Sequence, residues 1–244
     1  MLTPPPAPAE KPTSRCSRHS EQVCSAPAPT LHGAAADDAP PVKPLCGWKA
    51  AAKRAMDLLF ASVLLVILAV PMLLIALWIR ITSGSPIFHR QVRVGLRGKC
   101  FTILKFRTMR NDAEEDTGPV WAQSNDPRCT QAGAVLRSTN LDELPQLFNV
   151  LRGEMSLVGP RPERPFFVRQ FTADRPLYAQ RHVVKGGITG RAQIQGLRGR
   201  TCPEARLQHD LHYIRNWSLG RDLRILLRTP FVLIAERYDR RNRS

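Results

Sequence analysis

The chain has 244 residues, enough for one sizeable domain with additional segments, and a formal net charge of +16 at pH 7. The excess charge lies after residue 47, because the basic and acidic residues of 1–47 cancel. A surplus of this size favours anionic partners, namely nucleic acid, acidic lipid headgroups or phosphorylated substrates. The six cysteines are scattered without a CxxC pair, which argues against a zinc site.

Residues 1–47 contain 10 of the 21 prolines and few large apolar side chains. Such a segment cannot bury enough apolar surface to offset the conformational entropy lost on ordering. We therefore expect a disordered Pro/Ala-rich tail over 1–47. The tail does not resemble a signal peptide, because the first apolar run comes too far along the chain.

The next segment, 48–86, contains an uncharged apolar run of 22 residues from Leu58 to Ile79. As a straight helix it would span about 33 Å, enough to cross a bilayer. Pro71 lies inside the run, where it favours a kink, and basic residues flank both ends. Because positive charge normally stays cytoplasmic, such flanks are typical of a helix that bends and returns to the same face. The residues alone leave a re-entrant helix and a spanning helix equally open.

Two β-prone runs follow between residues 87 and 109, separated by Gly95-Leu96-Arg97-Gly98, and this pattern predicts a hairpin. Residues 111–133 are polar and rich in turn dipeptides, which predicts a loop. The apolar spacing between Leu141 and Leu151 predicts a helix.

The last segment, 218–240, places leucines on one side of a predicted helix and arginines on another. This pattern favours an amphipathic helix in a membrane interface, with the arginines at the headgroups. A surface helix packed on the core would show the same pattern, so both interpretations stay open. Pro230 is expected to bend or divide this helix.

Asp142 and Glu143 are adjacent acids at the start of the predicted helix after residue 140. Asn140 followed by Glu143 fits a capping box, so the local pattern favours two acids that cap a helix. Arg137 and Arg161 lie on either side, and rigidly held arginines suit bidentate phosphate recognition. A carboxylate near such arginines could be a nucleophile on phosphorus or a magnesium ligand.

The stretch RSTNLDELPQLFNVLRGEMSLVGPRPERP resembles the signature of the bacterial sugar transferase family, the monotopic phosphoglycosyl transferases. The resemblance continues in QVRVGLRGKCFTILKFRTM, GPVWAQSNDPRCTQAG, GGITGRAQIQG and HDLHYIRNWSLGRDLRIL, and therefore covers roughly Lys53 to Leu227. It implies an α+β fold with a mostly helical cytosolic catalytic domain over 87–244, a small β-hairpin and amphipathic interfacial helices. It also implies a re-entrant membrane helix broken at Pro71, in a monotopic protein on the cytoplasmic face of the bacterial inner membrane.

The activity implied by the resemblance is transfer of a sugar 1-phosphate from a UDP-sugar to a polyprenyl (undecaprenyl) phosphate, with release of UMP. This reaction would initiate exopolysaccharide, capsule or O-antigen synthesis. Asp142 would attack the β-phosphorus and form a covalent aspartyl phosphosugar, so that the soluble donor and the lipid acceptor need not be bound together. Glu143 would join Asp142 in holding Mg²⁺ or would orient the nucleophile, and the metal would stabilise the departing UMP.

The resemblance also implies phosphate- or nucleotide-binding roles for Arg137, Arg161, Lys105 and Arg107. Asp210 is expected to be a supporting acid, while its neighbours His209 and His212 are interpreted as packing residues. The chain departs from the family pattern at residues 186–198, where Gly186 replaces a usual proline and Arg191 a usual tryptophan. Substrate contacts in this loop are therefore expected to differ.

Two alternatives to the enzyme are a membrane-tethered module that binds anionic lipid or nucleic acid, and a non-catalytic scaffold of the same family. No DNA-reading motif is present, and aromatic residues do not alternate with the basic stretches, so no nucleic-acid partner is expected. Membrane lipid, the UDP-sugar and the polyprenyl phosphate are the expected partners. The sequence predicts neither the sugar nor the oligomeric state, and a homo-oligomer stays open.

Overall fold

The structure of the chain, a computed structural model, describes residues 42–110, 112–113, 126–198 and 201–242. Residues 1–41 of the predicted tail lie outside the described residues. At its end, however, Val42 is buried, and its backbone N–H donates to the side-chain oxygen of Gln180 at 3.2 Å. The chain is therefore already in contact with the domain at residue 42. Most of the predicted loop 111–133 also lies outside the described residues.

The described residues form an α+β fold, as predicted. The helices are α1 (Gly47–Ser83), α2 (Gln131–Thr139), α3 (Gln146–Arg152), α4 (Pro165–Asp174), α5 (Arg191–Ile194), α6 (Pro203–Arg215) and α7 (Leu219–Asn242). Short 3₁₀ segments cover Leu96–Gly98, Leu141–Glu143 and Pro176–Val183. Strands β1 (Phe88–Val94) and β2 (Cys100–Phe106) pair antiparallel, and β3 (Ser156–Val158) pairs parallel with β4 (Gly187–Thr189).

The predicted hairpin is confirmed, and its second strand is tied to α3 by one buried amide. Asn149 is fully buried; its side-chain oxygen accepts the Leu104 N–H at 3.0 Å, and its amino group donates to the Thr102 carbonyl at 2.7 Å. These bonds satisfy backbone groups that a two-stranded sheet leaves open on its edge. Lys105, on the same strand, is thereby held at a fixed place relative to α3.

The single helix predicted between Leu141 and Leu151 is divided in the structure. Asn140 has a φ of 57°, ends α2 and is followed by the 3₁₀ turn, and α3 begins only after Pro145. Asn tolerates the left-handed conformation, and the missing N–H of proline suits a helix start. The capping-box prediction is wrong: Asn140 makes no side-chain cap, and the Glu143 carboxylate binds other partners.

Helix α1 has 37 residues and, within the described part of the chain, is the one helix long and apolar enough to cross a membrane. Pro71 lies inside it and leaves the carbonyl of Ile67 without its helical partner. Many large apolar side chains on α1 face outward; Val66 is 79% exposed and Leu73 is 69% exposed. The domain does not cover this surface.

Both ends of α1 nevertheless contact the same domain. Near its start, the Asp57 carboxylate accepts hydrogen bonds from the Ser156 hydroxyl at 2.9 Å and from the Leu157 N–H at 3.0 Å. After Pro71, the buried residues Met72 and Ile79 join a cluster whose domain members are Phe106 and Leu136. The domain therefore packs against α1 on either side of the proline.

Helix α7 is amphipathic, as predicted, and it continues through Pro230 without division. Its inner side is buried at Asp222 and Ile225. Its outer side carries a stripe of exposed apolar residues, which are Leu223, Leu227, Phe231, Ile234 and Tyr238. We call these five residues the outer stripe of α7.

Candidate active site

Asp142 lies on the 3₁₀ turn between α2 and α3 and is 8% exposed. Burial raises the pKa of its carboxyl to about 6; Lys105 opposes the shift, and the neighbouring Glu143 adds to it. Within the described residues the carboxylate of Asp142 accepts no hydrogen bond, and the nearby donors bind Glu143 instead. In the described part of the chain, Asp142 is thus a buried carboxylate whose oxygens are not already used by a donor.

The neighbouring Glu143 has the opposite surroundings. Its carboxylate accepts a hydrogen bond from Lys105 Nζ at 2.8 Å and a bidentate pair from Arg161, one arm of which is at 3.1 Å. Burial acts to raise the pKa of Glu143, but the charges and hydrogen bonds of Arg161 and Lys105 outweigh it and hold the pKa well below its ordinary value. Glu143 therefore stays ionised and fixes two cations beside Asp142.

Arg137 completes the positive surroundings of Asp142. It lies in the last turn of α2, and its charge, like that of Arg161, favours the ionised form of the Asp142 carboxyl. One guanidinium nitrogen of Arg137 also donates to Cys129 Sγ at 2.8 Å. Three predicted cations, Lys105, Arg137 and Arg161, are therefore brought to the predicted acid pair.

Asp210 does not reach the acid pair but supports Arg161 indirectly. Its carboxylate accepts a hydrogen bond from buried Arg181 at 2.6 Å, and the same nitrogen of Arg181 donates to the Arg161 carbonyl at 2.9 Å. Tyr178 accepts from the other arm of Arg181 at 2.5 Å. The main chain at Arg161 is thereby held from inside the domain. Asp210 is a positioning residue in this geometry.

Arg107, for which the resemblance implied a phosphate-binding role, binds the end of α1. Its buried guanidinium donates to the carbonyls of Ser85 at 2.7 Å and Gly84 at 3.0 Å, and to that of Ser83, at the end of α1. A cavity of about 330 Å³ beside it opens at the first turn of α2, whereas Asp142 follows the last turn, about 13 Å along the helix axis. The geometry gives Arg107 the role of an anchor for α1.

The acid pair fits a magnesium ion that takes most of its ligands from substrate and water. Mg²⁺ is commonly bound by one or two carboxylates together with substrate phosphates. Asp142 offers both oxygens, and Glu143 Oε2 accepts one described hydrogen bond, which leaves a lone pair on that atom. Within the described residues no cluster of three or more His, Cys, Asp or Glu side chains could hold a metal ion by itself.

Sequence reasoning missed two residues that position this site, Arg181 and Asn149. Arg181 contacts Asp210, which is 29 positions away in the chain, and Asn149 binds β2, about 45 positions away. Neither lies in a local pattern that points to its partner. Their partners become evident only once the segments are packed together.

A family model described as bacterial sugar transferase matches residues 48–236 of the chain. The match covers the membrane-type helix, the hairpin, the acid pair and most of α7. The chain therefore belongs to the bacterial sugar transferase family.

Among individual relatives, the chain is 46% identical over 189 residues to a UDP-glucose:undecaprenyl-phosphate glucose-1-phosphate transferase of Caulobacter vibrioides, covering 75% of this chain and 70% of the relative. It is 45% identical over 192 residues to the Klebsiella pneumoniae protein of the same name, covering 77% of this chain and 41% of the relative. It is also 42% identical over 185 residues to a UDP-N-acetylgalactosamine-undecaprenyl-phosphate N-acetylgalactosaminephosphotransferase of Aeromonas hydrophila, covering 75% and 44%. The chain thus spans less than half the length of the Klebsiella and Aeromonas relatives.

Proposed function

We propose that the protein transfers a sugar 1-phosphate from a UDP-sugar to undecaprenyl phosphate and releases UMP, as a first step of exopolysaccharide, capsule or O-antigen synthesis. The observation that carries the proposal is a buried Asp142 carboxylate that accepts no hydrogen bond from the described residues, beside cations that Glu143 holds in place. The names of the relatives supply the donor and acceptor classes. Because these names include two different sugars, they do not select the sugar for this chain.

In the first step, an Asp142 oxygen attacks the β-phosphorus of the UDP-sugar. A bond forms between Asp142 Oδ and phosphorus, and the bond from that phosphorus to the bridging oxygen breaks. UMP leaves with the electron pair. Lys105 and Arg161 lie where their charge would stabilise the non-bridging oxygens during transfer.

In the second step, a phosphate oxygen of the lipid acceptor attacks the phosphorus of the aspartyl phosphosugar. The bond from phosphorus to Asp142 Oδ breaks, and the carboxylate is restored together with a polyprenyl diphosphosugar. Mg²⁺ bound at Asp142 and Glu143 would supply charge neutralisation for the diphosphate. Glu143 also orients Lys105 and Arg161 through the bonds described above.

We further propose that α1 is re-entrant and that the catalytic domain lies on the cytoplasmic face of the inner membrane. Contacts on both sides of Pro71 support this topology. Asp57 binds the backbone of β3 near the start of α1, and Arg107 binds three carbonyls at its end. One domain cannot hold both ends if they lie on opposite sides of a bilayer.

The transfer reaction is tested with full-length protein in detergent, Mg²⁺ and a panel of UDP-sugars that carry ³²P at the β-position. A productive donor should release unlabelled UMP and leave label on the protein, and undecaprenyl phosphate should then remove the label. Asp142→Asn should lower UMP release by about 10⁴-fold or more, as expected for loss of a nucleophile, and should abolish labelling.

The matched control is Asp174→Asn, which changes an exposed acid at the end of α4 and should keep wild-type labelling. Label on Asp142→Asn equal to that on the wild type would exclude Asp142 as the nucleophile. If UMP is released only when the acceptor is present, and no labelled protein forms, the result would favour direct transfer from the UDP-sugar to the lipid acceptor. If no donor is turned over, the result favours the non-catalytic alternatives, a binding module or a scaffold of the same family.

A further inference from the structure

A second basic site lies apart from the acid pair, between α5, α6 and α7. It is a cavity of about 180 Å³ whose basic lining residues are Arg191, Arg221, Arg224, Arg228 and His212. We call it the arginine pocket. Tyr213 and Ile225 form part of its wall. Its volume suits a single phosphoryl group better than a nucleotide.

The charge of the arginine pocket is not neutralised by the protein. Within the described residues, no carboxylate lies within 4 Å of any of its four arginines. The buried Arg191 Nε has no hydrogen-bond partner there. Burial, together with the charges of Arg191 and Arg221, lowers the pKa of His212. Such a concentration of like charge is unfavourable unless an anion occupies the pocket.

The position of the pocket on α7 indicates the kind of anion. At about 100° per residue, Arg224 and Arg228 lie between the buried side of the helix and the outer stripe. In that stripe, Leu227 is 62% exposed and Phe231 is 72% exposed. An anion in the pocket would therefore lie at the border between a basic surface and an apolar surface.

We propose that the arginine pocket binds the phosphate headgroup of an anionic membrane phospholipid, whose acyl chains lie along the outer stripe of α7. A water-soluble anion would use the arginines but would leave the apolar stripe uncovered. A phospholipid satisfies both, because its phosphodiester accepts bidentate hydrogen bonds from guanidinium groups and its chains cover exposed apolar side chains. The site is separate from the proposed transfer reaction and does not depend on it.

Arg191 distinguishes a headgroup pocket from general attraction to a bilayer. It lies on α5, not on α7, which carries the outer stripe. Arg191 therefore contributes to binding only if the headgroup enters the pocket. General attraction between a basic helix and an anionic bilayer would not single out this residue.

The test measures binding of short-chain phosphatidylglycerol to the full-length protein in neutral detergent by native mass spectrometry. Phosphatidylcholine with the same chains and inorganic phosphate are the comparison probes. Phosphatidylglycerol should bind at least about tenfold more tightly than either. Arg191→Gln and Arg224→Gln should each raise its apparent Kd by about tenfold, as expected for loss of a charge-assisted hydrogen bond.

The matched control is Arg237→Gln, which removes an exposed charge from α7 outside the pocket and should change the Kd by less than about twofold. Asp142→Asn should also keep lipid binding while losing transfer, which separates this proposal from the proposed function. If Arg191→Gln behaves like Arg237→Gln, or if phosphatidylcholine binds equally well, the headgroup site is wrong. Equal affinity for inorganic phosphate would show a free-anion site instead.

A measurement on the wild-type protein tests the same proposal without relying on the folding of any variant. The ring proton shifts of His212 are followed by NMR as a function of pH, with and without phosphatidylglycerol. A bound anion should offset the charges of Arg191 and Arg221 and raise the pKa of His212. An unchanged pKa at saturating lipid would overturn the proposal without any variant.

Discussion

At the scale of single residues, the acid pair shows how neighbouring carboxylates acquire different properties. Glu143 receives the hydrogen bonds of both Lys105 and Arg161, whereas Asp142 is buried without a described donor. The pKa of Glu143 is therefore lowered and that of Asp142 is raised. Near neutral pH both groups are ionised, but Asp142 is the more basic and hence the better nucleophile.

The first prediction concerns the pH dependence of UMP release. Because protonation would remove the proposed nucleophile, kcat/KM should fall as pH decreases through about 6, the pKa of Asp142. Below that pH the fall should approach about tenfold per pH unit. Initial rates with a productive UDP-sugar, measured from pH 4.5 to 8, provide the check. An acid limb of kcat/KM centred near the ordinary pKa of aspartate would mean that burial does not raise the pKa of Asp142.

The second prediction uses Glu143→Gln to move that limb. The negative charge of Glu143 raises the pKa of Asp142, and it also neutralises Lys105 and Arg161. Removing the charge should lower the pKa of Asp142, so the acid limb of kcat/KM should shift to lower pH. Glu204→Gln, at an exposed position on α6, should leave the limb in place. A shift to higher pH would contradict the described electrostatics.

The third prediction distinguishes the roles of Lys105, on β2, and Arg107, which directly follows β2. Lys105→Gln removes a cation beside the acid pair and should lower kcat/KM by about 10²-fold or more. Arg107→Gln removes hydrogen bonds to the end of α1 and should instead lower the unfolding midpoint, with kcat/KM close to that of the wild type. Steady-state kinetics and thermal unfolding of both variants are compared. Equal kinetic defects would place Arg107 at the substrate after all.

At the scale of elements, local patterns predicted what local interactions determine. The hairpin was predictable because glycines separate two β-prone runs, and α7 because its apolar residues recur at helical spacing. The division of Leu141–Leu151 was not predicted, since it depends on the left-handed Asn140 and on Glu143 being drawn towards Lys105 and Arg161. The acid pair could be placed by its motif, but Arg181 and Asn149 could not, because their contacts are long-range.

The fourth prediction concerns the parallel pair β3–β4. A Cβ added to Gly187 would lie 2.1 Å from the backbone nitrogen of Gly159, so the two strands cannot stay in place with a side chain there. Gly187→Ala should lower the free energy of unfolding by about 3 kcal/mol or more. Gly220→Ala is the control, since nothing lies within 4 Å of a Cβ at that helical position. It should change stability by less than about 1 kcal/mol.

At the scale of the whole molecule, the described residues combine a packed domain with two uncovered apolar surfaces, on α1 and on α7. The helix α1 contacts the domain both before and after Pro71, through Asp57 and Ile79 among others. A helix that simply spans a membrane would have one end out of reach of the domain. The uncovered surfaces and the double anchoring support the proposed insertion from one side.

The fifth prediction tests this topology in cells. Epitope tags fused to the N-terminus and to the C-terminus should both resist protease in intact spheroplasts, and both should be cut in inside-out vesicles. This result follows if the start and the end of α1 lie on the cytoplasmic side. A periplasmic marker protein verifies protease access in spheroplasts. Digestion of only the N-terminal tag in spheroplasts would establish a spanning helix.

One buried carboxylate has a consequence for how the protein sits on a bilayer. Asp222 of α7, fully buried, binds Lys53 of α1 at 2.7 Å, Tyr213 at 2.7 Å and Trp217 at 3.0 Å. Because these bonds join both helices, neither can tilt without the other. If both apolar surfaces enter one leaflet, the height of Asp142 above the lipid phosphates becomes a property of the fold. The acceptor phosphate would then meet the nucleophile without a hinge or lid to bring them together.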